Sequence, residues 1–216
     1  LVSKNGVAPD PKKVEAVKNW PVPTTVSEVR SFLGFVGYYR KYITGFSTIA
    51  KPLTHLTRGL ESYTSRAEKK LLVNWTEIEQ AAFEKLKVCL MTAPILAYPD
   101  HTLPFILHTD SSEDGLGAIL YQEQNGLKRV IAYASRGISR SEANYPSHKL
   151  EFLALKWAVT EKFHEYLYGG RLFDVYTDNN PLTYVLTSAK LDACGHRWVA
   201  SLANYNFNLH YKPGKT

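Results

Sequence analysis

The feature that most limits how this chain can fold is a change of hydrophobic period at Pro94. Before it, apolar residues recur at helical spacing; after it, they alternate as in strands. In the front part, "APDPKKVEAVKNWPVP" predicts a short helix starting at Asp10–Pro11 and stopped by Pro21 and Pro23. "TTVSEVRSFLGFVGYYRKYI" predicts a second, capped by Thr25 or Ser27, with an apolar stripe at Val29, Phe32, Leu33, Val36 and Tyr39. "FSTIAKPLTHL" predicts a third that starts at Ser47 and is perturbed by Pro52. Residues 59–74 are polar and aperiodic, and read as a linker. "TEIEQAAFEKLKVCL" predicts a fourth helix, with a Thr76–Glu79 capping box and Ile78, Ala82, Leu86 and Cys89 on one face.

Beyond Pro94, strands are expected at 104–110, 116–123 and 128–134, close enough to form an antiparallel meander. A long helix is expected over 147–167, a strand at 172–178 and a helix start in "NPLTYVLT". "HRWVASLANY" follows as a helix and "FNLHYKPG" as a closing strand. Helices after strands on one sheet make this an α/β unit with a mixed sheet.

Two of the strands end on a carboxylate: "FILHTD" at Asp110 and "FDVYTD" at Asp178. Alternation places Ile106, His108 and Asp110 on one face of the first, and Asp174, Tyr176 and Asp178 on one face of the second. In the long helix Glu151 shares a stripe with Ala154, Leu155 and Ala158, small enough to pack on the sheet and aim the carboxylate at its edge. Three clustered acids repel and raise one another's pKa, and a hard cation removes that penalty. Oxygen donors alone suit Mg²⁺ or Mn²⁺ rather than zinc. A strand-terminal Asp is also an ordinary turn or cap residue, and Gly115 and Gly117 serve equally as packing glycines or as room for a phosphodiester backbone.

Charge adds a second clue. The first 60 residues hold nine Lys or Arg against three Asp or Glu, which is the whole net +6; the remainder balances. Such a surface is either a solvated helical face or a tracker of nucleic-acid phosphates. Arg30, Arg40 and Lys41 are the candidates for backbone contacts, whereas Phe32, Phe35, Tyr38, Tyr39 and Tyr42 at helical spacing read mostly as core. His196 and Arg197, at the head of a helix, are either surface residues or candidates for nucleic-acid contacts. Cys89 and Cys194 have no metal or disulfide spacing and suit a reducing compartment. No apolar run would span a bilayer, and a first residue of Leu rather than Met reads as a piece of a longer chain.

"HTDSSEDGLGAILYQ", "IAYASRGISRSEANY", "KLEFLALKWAV", "FDVYTDNNPLTYVL" and "HRWVASLANYNFNLHYKPGK" follow in an order that resembles the ribonuclease H domain of gypsy-type long-terminal-repeat retrotransposon reverse transcriptases. Upstream, "KNGVAPDPKKVEAV", "VRSFLGFVGYYRKYI", "IAKPLTHL" and "AAFEKLKVCLMTAPILAYPD" resemble the polymerase thumb and its tether. The resemblance implies a thumb-like helical segment at 1–60, a linker and tether helix at 61–93, and a ribonuclease H-like domain at 94–216 that lacks its last helix. It also implies a mixed five-stranded sheet flanked by helices. Asp110, Glu151 and Asp178 match three of the family's four acids, which hold two Mg²⁺ ions, Asp110 bridging both. The fourth acid falls after Thr216, so weak or absent cleavage is expected of these 216 residues. The implied partners are RNA–DNA hybrid, duplex nucleic acid, and the palm and fingers of a parent polyprotein, with no membrane. The setting is intracellular: a cytoplasmic particle or the nucleus. There is no Asp-Asp pair, and polymerase acids are thus not expected here. A non-catalytic nucleic-acid-binding remnant and a host-coopted interaction domain are the competing readings.

Overall fold

The computed structural model describes residues 1–4, 6–59, 71–169, 171–179, 182 and 191–213. They divide into two compact units, Leu1–Ile95 and Leu96–Thr216.

The first unit opens with a two-stranded antiparallel ribbon, β1 (Val2–Ser3) and β2 (Gly6–Val7). Among the described residues four α-helices follow: α1 (Pro11–Lys18), α2 (Val26–Tyr38), α3 (Phe46–His55) and α4 (Glu77–Met91). The starts of α1, α2 and α4 are fixed by side chains that satisfy first-turn amides. Asp10 caps α1 by accepting from the Lys12 amide, and Pro11 stands at its first position, where a missing N–H costs nothing. Thr25, and not Ser27, caps α2 in a reciprocal box with Glu28. Thr76 and Glu79 form the corresponding box on α4.

α3 starts at Phe46, one residue ahead of the expected start. Its cap is Gly45 in the left-handed region (φ 64°), so the backbone turn decides the boundary rather than the Ser47 hydroxyl. Pro52 lies inside α3 without ending it. The last part of the expected linker pairs back on the start of α2: the Val73 amide donates to the Thr24 carbonyl, and the Val26 amide to that of Leu71. The rest of the expected linker, residues 60–70, lies outside the described residues.

One core joins the helices: Val29, Phe32 and Val36 from α2, Phe46, Ala50 and Leu53 from α3, and Ala82, Phe83 and Leu86 from α4. Phe32 and Phe83 sit with ring centroids 4.6 Å apart at its centre. On α4 the buried stripe runs through Ala82, Phe83, Leu86 and Leu90, with Cys89 half-buried against it. Ile78 is 66% exposed, a correction to the expected face. The first turn of α4 is held instead by its cap and by the Trp75 indole, which donates to Gln80.

The second unit contains a five-stranded sheet in the order β5-β4-β3-β6-β7. β3 (Ile106–Ser111), β4 (Gly115–Gln124) and β5 (Leu127–Gly137) form the antiparallel meander. β6 (Phe173–Thr177) runs parallel to β3, and β7 (Phe207–Tyr211) parallel to β6. Between β5 and β6 lies α5 (Ser147–Trp157), whose Leu150, Leu153, Ala154 and Trp157 are buried. Leu153, Ala154 and Trp157 join Leu107, Leu120 and Val175 of the sheet in a single core.

The single helix expected over 147–167 is interrupted. A π-helical turn occupies Ala158–Lys162, marked by the Phe163 amide bonding to the Ala158 carbonyl at 2.9 Å, and a short α6 (His164–Leu167) follows. The widening falls at two β-branched residues, Val159 and Thr160, and the Thr160 hydroxyl bonds back to the Lys156 carbonyl. α7 (Ala193–Leu202) starts earlier than expected, because Asp192 caps it by accepting from the Gly195 amide. His196 and Arg197 therefore lie inside the helix rather than at its head. The helix start expected in "NPLTYVLT" lies outside the described residues apart from Leu182, which is fully buried. Among the described residues no helix is long and apolar enough to cross a membrane.

Candidate metal centre

The sheet has two unlike faces, and the acids arrive from both. Along β3 the side chains of Leu107 and Thr109 are buried toward α5, whereas Ile106, His108 and Asp110 point the other way. Asp110 is exposed and pairs across the ladder with Gly117 of β4. Asp178 is exposed just past the end of β6. Glu151 comes from α5, on the opposite side, and is only 4% exposed. The three nonetheless converge: each offers a carboxylate oxygen, and these atoms all lie within 4.8 Å of one another.

Such a cluster is electrostatically unfavourable alone. Burial, then repulsion from Asp178 and Asp110, pushes the Glu151 carboxyl up to about 7, against the opposing pull of Ser111. Local desolvation and the Asp178 charge likewise raise Asp110. The Oε1 atom of Glu151 accepts from the Ser111 amide at 2.9 Å and from its hydroxyl at 2.5 Å. Its Oε2 atom is buried with no hydrogen-bond partner. Buried polar oxygens are normally paired, so an orphan beside two further carboxylates calls for a cation. The donor set, all oxygen and all anionic, fits a hard divalent ion.

Ser111 was not among the residues singled out from the sequence. Strand alternation alone carried the signal, since the residue after Asp110 must face the helix that brings Glu151. Gly117 is less telling: a Cβ there would stand 3.8 Å from the Asp110 carbonyl, an ordinary contact, so the protein itself does not require glycine at that position.

Beyond the acids, the face that carries Asp110 bears a row of rings. His108 lies 5.0 Å from both Tyr121 and Tyr176, and Tyr176 stacks on His210 at 5.0 Å. Desolvation drives the His108 imidazole down to about 4 and the Tyr121 phenol up to about 12, so both are neutral at physiological pH. His210 in turn bonds Asp174 at 2.7 Å.

The remaining candidates do not gather at the acids. His196 and Arg197 are exposed on α7. Arg30, Arg40 and Lys41 belong to the first unit. Arg30 donates to the Thr57 carbonyl, and Arg40 and Lys41, both exposed, lie over the rings of Phe46 and Tyr42. Of the aromatics weighed for stacking, Phe32, Tyr39 and Tyr42 are buried, Phe35 is half-buried, and Tyr38 stands out at 79% exposure.

A mixed sheet in this order, with an acidic cluster at the C-terminal ends of its inner strands β3 and β6, defines a ribonuclease H-like domain. Residues 75–175 match the family described as the RNase H-like domain found in reverse transcriptase. End to end it is similar to retrotransposon Pol polyproteins of Drosophila melanogaster. It is 42% identical to that of transposon opus over 100% of this chain and 22% of the polyprotein. With the Pol polyprotein of transposon gypsy it shares 39% identity, over 100% of the chain and 20% of the polyprotein. The chain thus spans about a fifth of the length of these relatives.

Among solved structures, the foamy viral protease–reverse transcriptase in complex with RNA/DNA hybrid superposes with a TM-score of 0.79 at 20% identity. That match covers 100% of this chain and 28% of that one. A second structure of the foamy viral enzyme, in complex with double-stranded DNA, gives the same TM-score at 19% identity and covers 37% of that chain. At such identities the likeness establishes the fold.

Proposed function

We propose that the chain is the thumb-to-ribonuclease H portion of a retroelement reverse transcriptase, and that its second unit hydrolyses the RNA strand of an RNA–DNA hybrid. One observation carries the reading: three carboxylates meet on a ribonuclease H-like sheet, and one of them has a buried oxygen without a partner. Asp110, Glu151 and Asp178 would hold Mg²⁺ or Mn²⁺. Bound there, the ion supplies a Lewis acid that offsets the acids' charge, polarises a phosphodiester and acidifies water.

The chain's own contribution is placement. Two exposed acids stand where a phosphodiester backbone can approach, and Glu151 is anchored behind them. Water attacks phosphorus, and the bond to the 3′-oxygen breaks, leaving a 3′-hydroxyl and a 5′-phosphate. Hybrid is selected by helix shape and 2′-hydroxyl contacts, not by base sequence. The basic first unit, with Arg40 and Lys41 exposed, grips the backbone of hybrid or duplex nucleic acid. Its home is intracellular, in a cytoplasmic particle or the nucleus.

The test is a labelled hybrid incubated with Mg²⁺ or Mn²⁺, with a DNA duplex as control. These 216 residues are compared with a version continued past Thr216, where the resemblance puts a fourth acid. Feeble cleavage by the first and metal-dependent cleavage by the second are expected, and Asp178→Asn should abolish the latter. An inert continued chain that still binds hybrid would replace this reading with that of a binding remnant.

A further inference from the structure

The two oxygens of Glu151 have different fates, and Ser111 causes the difference. Ser111 ends β3 and follows Asp110 directly. Asp110 faces one side of the sheet, and Ser111, by alternation, faces the other, toward α5. There its amide and hydroxyl both donate to Oε1 of Glu151. A glutamate on a helix has three rotatable side-chain bonds, and its carboxylate samples many orientations unless something holds it. The two hydrogen bonds from Ser111 fix one oxygen and leave Oε2, buried and unpartnered, as the oxygen free to meet an ion.

We propose that Ser111 is the positioning residue of this metal centre: it presents Glu151 to the cation that Asp110 and Asp178 share. The inference rests on the proposed function only in requiring that the site take a divalent ion. Two consecutive residues of one strand thus divide the work, Asp110 as ligand and Ser111 as holder of the ligand from the helix. Outer partners of this kind orient ligating carboxylates, and their loss weakens metal binding by about tenfold or more.

Mn²⁺ alone is titrated into the 216-residue chain, with the free ion followed by electron paramagnetic resonance. The melting temperature of the metal-free protein is measured beside it. Ser111→Ala keeps the amide and loses the hydroxyl; Ser111→Thr keeps both donors. The expected result is about tenfold weaker Mn²⁺ binding in Ser111→Ala, a metal-free melting temperature shifted little, and parental affinity in Ser111→Thr. Equal affinity in the parent and Ser111→Ala would overturn the proposal. So would a loss of affinity that merely tracks a lowered metal-free melting temperature in both variants, which would make Ser111 a structural residue. A parent chain that binds no Mn²⁺ would instead remove the metal reading of the site, and this inference with it.

Discussion

Replacing Glu151 by Gln should stabilise the metal-free protein, and the effect should depend on pH in a defined direction. Glu151 is buried, and its carboxyl titrates at about 7 in the fold against an ordinary 4.5. A carboxyl whose folded pKa is raised favours its neutral form in the native state. The stability that goes with that neutral form is complete below pH 4.5 and is lost as pH rises through 7. A displacement of this size corresponds to about 3 kcal/mol, most of it lost by pH 8. Gln has the same shape, retains an oxygen to accept from Ser111, and has no charge to bury. Urea titrations at pH 5 and pH 8 provide the assay. The parent should lose unfolding free energy between the two pH values, while Glu151→Gln should lose far less and exceed the parent at pH 8. Mn²⁺ should then raise the parent's stability at pH 8 but scarcely that of the variant. A parent whose stability is unchanged between pH 5 and pH 8, or a Gln variant that is weaker at pH 8, would refute the picture of three acids held together at a cost.

Glu142 offers the opposite sign: Arg136 grips it through two bonds of 2.8 Å, and its carboxyl is pulled down to about 2. Its contribution is present above pH 4.5 and is lost as pH falls toward 2. Glu142→Gln should thus cost about 2 kcal/mol at pH 7, with the gap to the parent closing in acid melts. Gln122, fully buried, bonds the Asp100 amide and the carbonyls of Asp100 and Leu103. Gln122→Leu strands those backbone groups and should cost about 2 kcal/mol or more in urea titration, whereas a neutral result would mean that the loop re-pairs with water. Arg40→Ala and Lys41→Ala should each weaken binding to hybrid and to DNA duplex alike and flatten its salt dependence. Unchanged fluorescence anisotropy titrations would take the basic first unit out of the binding surface.

Local chemistry was most legible where one residue answers another a few positions away. The Thr76–Glu79 box involves a three-residue spacing, Thr25 is one of two caps that the sequence offers for α2, and the meander follows from alternation with short connections. Asp110 and Asp178 stood out because an acid ends an apolar run, and Glu151 because alanines share its stripe. What escaped the sequence depended on partners distant in the chain or on backbone geometry. Ile78 fits the period of α4 but lies where no core reaches it. Gly45 caps α3 through a left-handed backbone rather than a side chain. The π turn at Ala158–Lys162 leaves the apolar pattern of a continuous helix intact, so periodicity cannot reveal it. Ser111 matters only through Glu151, 40 residues away, and small polar residues at strand ends are too common to signal such a role.

Asp110 and Glu151 reach one another from opposite faces of the sheet. Neither the strands alone nor the helix alone can assemble the cluster, and a collapsed chain with every helix and strand formed but loosely docked would scatter its carboxylates. A lanthanide such as Tb³⁺, whose luminescence brightens when several acids displace its water, would then stay dim in that intermediate and light up only when α5 seats against β3. The acids would serve as a built-in gauge of tertiary docking during refolding, separate from the circular dichroism that tracks helix formation.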